Sequence, residues 1–353
     1  SNLGSILTDQ KKYSEALQYF DKAIKINPNH AEVYNNKGTC LREQSFLNQS
    51  IIAFDKAISL KSNYPDAYYN KGNSLTDRGK LLDALSCYDH ALKYDPNLFD
   101  AKYQRLFLHS NLCDWSEFDQ LEVELKDLGI NTPPVQPFFT LLLEDHAERQ
   151  RIRARKYIAD RHNLKPISLP ARPKSKSDKI RIGYFSADFQ EHPVGNTIAQ
   201  VLALHNKDEF ETYAYSFREV NDGVRKKIFH AVDHFKDVAD MSDRDVALLA
   251  RKDNIDIAID LMGNIKRART DIFALRAAPI QVFLFGANTG ASFIDYIVAD
   301  ATVIPNRLRQ HYQESIIYMP HSFMPTNNSI KIPNHSMSRR KMGLPEAGFI
   351  FCC

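Results

Sequence analysis

Across the first hundred residues small, aromatic and polar positions return at one interval. Tyr34-Asn35-Asn36-Lys37-Gly38 is echoed 34 residues later by Tyr68-Tyr69-Asn70-Lys71-Gly72. Phe20, Phe54 and Tyr88 keep that spacing, as do Ala23, Ala57 and Ala91, and Ala16, Ser50 and Ala84. The pattern predicts paired helices, with small residues where backbones approach and an aromatic ring filling the space between them. Pro28 and Pro96 follow second helices, where a missing N–H and a fixed φ stop them; the middle unit has Ser62 at that register and a delayed Pro65. Beyond about residue 179 the grammar changes. Residues 179–185, 210–216, 235–238, 255–261, 280–285, 296–299 and 316–319 read as strands, while 194–205, 224–232, 243–251 and 268–275 read as helices. Alternating strands and helices with short connections predict a mostly parallel sheet covered by helices.

A 34-residue unit with these small and aromatic marks is the tetratricopeptide (TPR) signature, so the expected architecture is an N-terminal α-solenoid followed by a Rossmann-like α/β domain. The boundaries expected are a TPR superhelix over 1–128 with a degenerate last unit from 101, a helical and Pro/Lys-rich linker over 129–178, an α/β body over 179–340, and a further segment over 341–353. Within the linker, 131–139 reads as a break, 141–159 as one helix and 164–178 as extended chain. Leu112-Cys113-Asp114-Trp115 interrupts the last unit, and Trp115, the only tryptophan, is expected as a buried anchor.

Composition narrows this modestly. The chain has 353 residues, 43% hydrophobic and 25% charged, with a net charge of +3, which suits two or three ordinary domains. The most basic stretch, 149–179, reads as solvated, and no nucleic-acid recognition fold accompanies it. Five cysteines at 40, 87, 113, 352 and 353 form no C-x-x-C pair, which points to reduced thiols in a cytoplasmic protein, with Cys87 in the core. No apolar run reaches the length of a membrane span. The start at Ser1 within a helical pattern, and the apolar run 349–353 after Gly343-Leu344-Pro345, read as the ends of a piece of a longer protein, the run being a strand just beginning.

Open α/β sheets hold ligands at the carboxyl ends of their strands. That selects Asp188, Glu191 and His192 after the first strand, Gly263 and Asn264 after the 255–261 strand, and Gly286, Asn288 and Thr289 after the 280–285 strand. An imidazole at position 192 can accept, relay or donate a proton near neutral pH. The glycine-containing turn 286–291 fits neither the dinucleotide fingerprint nor the P-loop. Lys266, Arg267 and Arg269 would meet phosphate or an acidic peptide, or form a solvated basic edge. His205, His230 and His234 have no zinc spacing, and no G-x-S-x-G is present, so neither a metal site nor hydrolase chemistry is expected.

Several ordered strings resemble the O-linked N-acetylglucosamine transferases and their SPINDLY-type relatives: 181–189 with His192-Pro193, 273–281, 295–300, 318–323 and, where the repeats end, 112–115. The resemblance implies the first half of a GT-B glycosyltransferase that moves a sugar from a UDP-sugar to Ser or Thr of proteins with inversion, using no cofactor. It maps the family's cleft histidine onto His192, an acidic active-site residue onto Asp253, and the Pro-His-Thr/Ser-Phe loop onto His321. Most of the UDP-sugar site is implied to lie in a second half beyond this sequence, so the chain alone is expected to be nearly inactive. Relatives carry Gly-His-Thr or Gly-Tyr-Thr where this chain has Gly263-Asn264-Ile265, and a longer glycine loop where it has 286–290, so its specificity is expected to differ. Asn29, Asn35, Asn36 and Asn70 are the expected acceptor ligands in the solenoid groove, with acceptor proteins as partners and neither membrane nor nucleic acid. The rival reading is a noncatalytic TPR interaction scaffold with a degenerate α/β domain.

Overall fold

The computed structural model describes residues 2–10, 12–116, 118–162, 179–265, 267–285, 288–326 and 338–348. Seven helices form the repeats: α1 (Asn2–Asp9), α2 (Tyr13–Ile26), α3 (Ala31–Glu43), α4 (Leu47–Leu60), α5 (Pro65–Asp77), α6 (Leu81–Tyr94) and α7 (Phe99–Asn111). One contact recurs through them. A Cβ placed on Gly4, Gly38 or Gly72 would lie 2.6 Å from a ring carbon of Phe20, Phe54 or Tyr88, so each aromatic ring lies on the bare backbone of the preceding helix. All three rings are fully buried, with Ala16, Ala57, Ala84, Ala91 and Ser50 around them. The turns repeat as closely. Ser45, Gly79 and Cys113, each 34 residues from the next, all adopt left-handed backbone, although only one of them is glycine. Lys37–Asp21 (2.6 Å), Lys71–Asp55 (2.7 Å) and Arg105–Asp89 (2.8 Å) form a ladder of half-exposed ion pairs, each adding little stability.

Local proline and tryptophan chemistry departs from expectation. Pro65 opens α5 at its first turn, where a missing N–H costs nothing, and does not serve to end α4. Trp115 is 53% exposed and not a buried anchor, while nearby His109 is buried, its Nδ1 2.9 Å from Asp114 Oδ2. Cys40 and Cys87 are buried thiols.

α8 (Phe118–Asp127), α9 (Pro137–Leu143) and α10 (Ala147–Arg161) lead to the sheet. The single helix expected over 141–159 is broken at 144–146. Gln150 Nε2 donates to the carbonyls of Thr140 and Glu144, and His146 Nδ1 accepts from Arg149 N–H, closing α9 and opening α10. The basic stretch is also less solvated than its composition suggests. Arg153 is wholly buried, donating to the carbonyls of Leu125 and Leu128 and to Glu144. The expected extended chain at 164–178 lies outside the described residues, as do Lys266, Gly286 and the apolar run 349–353.

The α/β domain contains β1 (Ile180–Ser186), α11 (Pro193–Ala203), β2 (Phe210–Ser216), α12 (Gly223–Ala231), β3 (His234–Asp237), α13 (Asp243–Lys252), β4 (Ile257–Asp260), α14 (Asp271–Ala274), β5 (Ile280–Phe283), β6 (Tyr296–Ala299) and β7 (Ser315–Tyr318). The strands pair in parallel in the order β3-β2-β1-β4-β5-β6-β7. Alternate residues of β1 serve two cores. Ile182 and Tyr184 pack with α11 and α12, while Phe185 packs with α13, α14 and Ile158 of α10. α14 is shorter than expected, and Arg269 just before it is no solvated edge: its guanidinium is buried on Asp243 and the carbonyls of Val238 and Met241. The chain order reverses between β1 and β4, which places a crevice at their carboxyl ends.

Alanine at position 72 gains about 1 kcal/mol of helix propensity over glycine, but its methyl group meets the Tyr88 ring, an overpacking cost of about 1–3 kcal/mol. Gly72→Ala is therefore expected to lower the urea midpoint followed by circular dichroism, and Gly72→Val to lower it further. In Gly72→Ala/Tyr88→Leu the loss should be smaller than the sum of the single losses. An unchanged or raised midpoint for Gly72→Ala would remove the ring-on-backbone contact as the source of the period.

Candidate functional site

The β1–α11 loop is built to present one side chain. Asp188 N–H donates to Ser186 Oγ at 2.9 Å, turning the chain off the strand, and His192 then caps α11 with Pro193 in its first turn. Gly195 permits this: a Cβ there would lie 2.2 Å from Gln190 O and 2.7 Å from Asp188 O. The His192 Nδ1 accepts the Val194 N–H at 3.3 Å, which leaves the proton of the neutral ring on Nε2. Asp188 Oδ2 stands 3.7 Å from the same Nδ1, and Asp188 is only 6% exposed.

His192 and Asp188 line a cleft of ≈ 620 Å³ between the sheet and the last repeats. Its α/β wall is formed by the loops after β1, β4 and β5, through Val194, Leu261, Met262, Asn264, Ile265, Arg267, Phe283, Phe285, Asn288 and Thr289. Across from it stand Asn73 and Thr76 of α5, Tyr103, Gln104 and Phe107 of α7, and Phe138 and Leu141 of α9. A half-exposed imidazole and a nearly buried carboxylate therefore sit in a mainly apolar and aromatic surround, where their electrostatic interactions are stronger than in water.

Of the residues singled out in the sequence, His192, Asn264, Asn288 and Thr289 converge on this cleft, and Gly263 adjoins it with a φ of 59°. The three polar loop residues are committed to scaffolding. Asn264 Nδ2 donates to Thr289 O at 2.8 Å, Asn288 donates to His311 O, and Thr289 donates through N–H and Oγ1 to Glu314. Gly286 lies outside the described residues. Asp253 is not in the cleft. It ends α13 at the opposite pole of the sheet, 2.7 Å from Lys236 Nζ and 2.7 Å from the Tyr215 hydroxyl, and the β4 strand separates it from His192. His321 follows β7 at the sheet edge, exposed, three strands from β4.

The asparagines divide. Asn35, Asn36 and Asn70 lie on the first helices of their pairs, with Asn70 Nδ2 donating to Asn35 Oδ1 at 3.0 Å and Asn36 Nδ2 to Ser5 Oγ at 3.1 Å. Asn29 sits in the exposed α2–α3 turn, its N–H on Asn27 Oδ1, and takes no part in that row. Among the described residues no group of His, Cys, Asp or Glu has the arrangement of a metal site, and no helix is long and apolar enough to cross a membrane.

Sequence reasoning missed Asp260. It ends β4 beneath the cleft, 4% exposed, accepting the N–H groups of Met262 (2.8 Å) and Gly263 (3.2 Å) and so holding the loop that carries Asn264. Burial outweighs those hydrogen bonds and pushes its carboxyl up to about 6. The folded state thus holds a proton that the unfolded chain has lost between pH 3.8 and about 6, so this group makes the protein less stable as pH rises through that window. Asp260→Asn keeps an acceptor for the loop and removes the buried charge. It is expected to raise stability above pH 6 by on the order of 2–3 kcal/mol and to change it little below pH 4. Denaturant midpoints measured across pH 4–8 test this, and a loss that grows as pH rises above about 6 would show that the charge itself holds the loop.

Comparison with known proteins agrees with this architecture. The model of glycosyl transferase family 41 matches residues 112–343, and tetratricopeptide repeat models match 1–30, 19–51 and 65–98. An Arabidopsis thaliana protein described as a probable UDP-N-acetylglucosamine–peptide N-acetylglucosaminyltransferase SEC is 33% identical over 267 residues, 69% of this chain and 27% of that protein. A Caenorhabditis elegans UDP-N-acetylglucosamine–peptide N-acetylglucosaminyltransferase is 32% identical over 60% of this chain and 20% of its own length. The chain thus spans about a quarter of the length of these curated relatives. In fold, it is similar to a Thermobaculum terrenum O-GlcNAc transferase variant, with a TM-score of 0.58 and 22% identity over 93% of this chain and 58% of that one. The family match runs from the last repeat turn through every strand of the sheet and all three loops of the cleft, and the chain belongs to glycosyl transferase family 41.

Proposed function

We propose that this chain forms the acceptor-side part of a protein O-glycosyltransferase, which moves N-acetylglucosamine from its UDP-sugar to Ser or Thr hydroxyls with inversion. The observation that carries the reading is the shared cleft: the last repeat helices and the His192 loop face one another across a space wide enough for an extended chain. The names of the relatives supply the sugar and the peptide acceptor. A second TPR face, the partly exposed amides of Asn36 and Asn70 with the buried Asn35 beneath them accepting from Asn70, extends the acceptor path away from the chemistry, since side-chain amides pair with any extended backbone. The UDP-sugar is a co-substrate, and the reading includes no resident cofactor. With cysteines that form no paired spacing, the reading keeps a cytoplasmic protein.

In this reading His192 is a donor. With Nδ1 occupied by the Val194 N–H, the neutral ring offers Nε2–H to an oxygen in the cleft, where it orients the attacking hydroxyl or steadies charge growing on the departing diphosphate. The hydroxyl proton passes to a carboxylate, and Asp188 is the nearest one to the ring. The N-terminus of α11 adds its positive dipole end at the same place.

The test is transfer from UDP-N-acetylglucosamine, UDP-glucose and UDP-N-acetylgalactosamine to Ser/Thr peptides by the whole protein that carries this chain, read by peptide mass and by the anomeric configuration of the product. The expected product is an inverted N-acetylglucosamine on a hydroxyl. His192→Ala is expected to cost roughly 10²–10³ in kcat, and His192→Gln, whose amide still donates, markedly less. Equal losses for the two substitutions would make the ring a base. Absence of transfer from every donor by a folded protein would leave the TPR scaffold reading in its place.

A further inference from the structure

Asp222 ties the loop of His192 to a different strand–helix unit of the sheet. It caps α12, where its Oδ1 accepts the Arg225 N–H at 2.8 Å. A cap needs one oxygen: Ser242 opens α13 with a single hydroxyl, which accepts the Asp245 N–H at 3.1 Å. The second oxygen of Asp222 crosses to the β1–α11 loop, where Oδ2 accepts the Glu191 N–H, also at 2.8 Å. Glu191 directly precedes His192, and its own carboxylate accepts from Asn196 Nδ2 of α11 at 2.7 Å. Asp222 is itself firmly placed. Arg225, in the same turn, donates through Nη1 to Ser216 Oγ and Arg218 O, both at 2.9 Å, and through Nη2 to Asp237 at the end of β3. The N–H groups of Arg225 and Glu191 hold the Asp222 carboxyl below the usual carboxylate range, so both oxygens remain acceptors at neutral pH.

Water can reach the Glu191 N–H, so its bond to Asp222 satisfies no buried group and adds little net stability. What the bond fixes is position. The loop runs from Asp188, turned off β1 by Ser186, to His192, which caps α11, and Asp222 grips it one residue before the ring. We propose that Asp222 is a positioning residue for the transfer reaction, holding the Glu191 N–H so that the His192 ring keeps its place in the cleft. A carboxylate suits this double duty because the cap and the loop each take one oxygen. Asparagine has a single acceptor, and when that oxygen caps the helix its NH₂ is turned on the Glu191 N–H; serine serves the cap alone. The inference rests on the reading that His192 takes part in transfer.

The test compares Asp222→Ser and Asp222→Asn in the whole protein that carries this chain. Both keep the cap, so their urea midpoints should stay near that of the unsubstituted protein. Hydrogen exchange read by mass spectrometry should quicken over the β1–α11 loop and stay unchanged over α12. The kcat is expected to fall roughly 10–10²-fold, with the KM for the UDP-sugar unchanged. In a His192→Ala background Asp222→Ser should cost nothing further, because the hold acts through the ring. An equal loss in both backgrounds would make Asp222 a general support of the fold and overturns the proposal, as does loop exchange that does not quicken. If the loop loosens and kcat holds while His192→Ala still lowers it, the positioning inference alone falls. If the unsubstituted protein transfers nothing, or His192→Ala leaves transfer unchanged, the reading of His192 falls and this inference with it.

Discussion

The cleft exists because one guanidinium is kept out of water. Arg153 is wholly buried and takes up the carbonyls of Leu125 and Leu128 at the end of α8, while its charge is met by Glu144 where α9 ends. Those carbonyls have no partner within their own helix, so the arginine satisfies orphaned acceptors as well as a carboxylate. Burying an ion pair is costly, and apolar packing of equal volume is often as stable. The pair does, however, fix how three helices meet, which apolar contacts alone specify less sharply. From that joint α10 reaches the sheet, with Ile158 in the α/β core and its Ala154 backbone so close to Gly290 that a side chain there would overlap it. Gln136 Nε2 completes the seam on Asn264 O at 3.0 Å. The solenoid is thereby tied to the loops that carry the site.

What the sequence makes legible follows from how far apart the interacting residues are. Gly38 and Phe54, or Gly72 and Tyr88, are 16 residues apart and repeat, so the solenoid announces itself in the spacing. Strand alternation is equally local, and His192 is visible because a strand end, a loop and a helix cap fall within a few residues. The opposite wall of the cleft is not local. Phe107 faces, across the cleft, the β1 loop some eighty residues later, and nothing in its own neighbourhood distinguishes a ring that faces a cleft from one that fills a core. The same difficulty hid the burial of Arg153 and Arg269, since a basic stretch reads as solvated until partners far along the chain are known. Asp253 is a different case: it is implied by the family resemblance alone, and the structure places it before β4, at the end of the strand that points away from the mouth, toward Lys236.

Electrostatics within the cleft depend on the apolar walls. Asp260 shows how strong the effect is, as burial alone keeps its carboxyl up near 6 despite backbone N–H groups that favour the anion. Asp188 and His192 lie a few residues away in space from the same floor, so a proton or a growing negative charge near them is screened weakly. Chemistry that separates charge benefits from fixed donors in such a place, because they need no reorganisation when the charge appears.

The repeat also changes character as it nears this region. The register of Asn36 and Asn70 continues as Gln104, while that of Thr39 and Asn73 continues as Phe107. The backbone geometry of each unit is unchanged, so the row of polar side chains on the first helices gives way to an aromatic wall at the point where the cleft begins. On the proposed function this divides the labour along one acceptor. Amides distant from His192 hold any extended backbone with little regard for sequence, and selection falls to the last repeat, where apolar side chains gain by burial. A solenoid built for indifference thus becomes selective only within its final turn, without any change in the 34-residue unit that builds it.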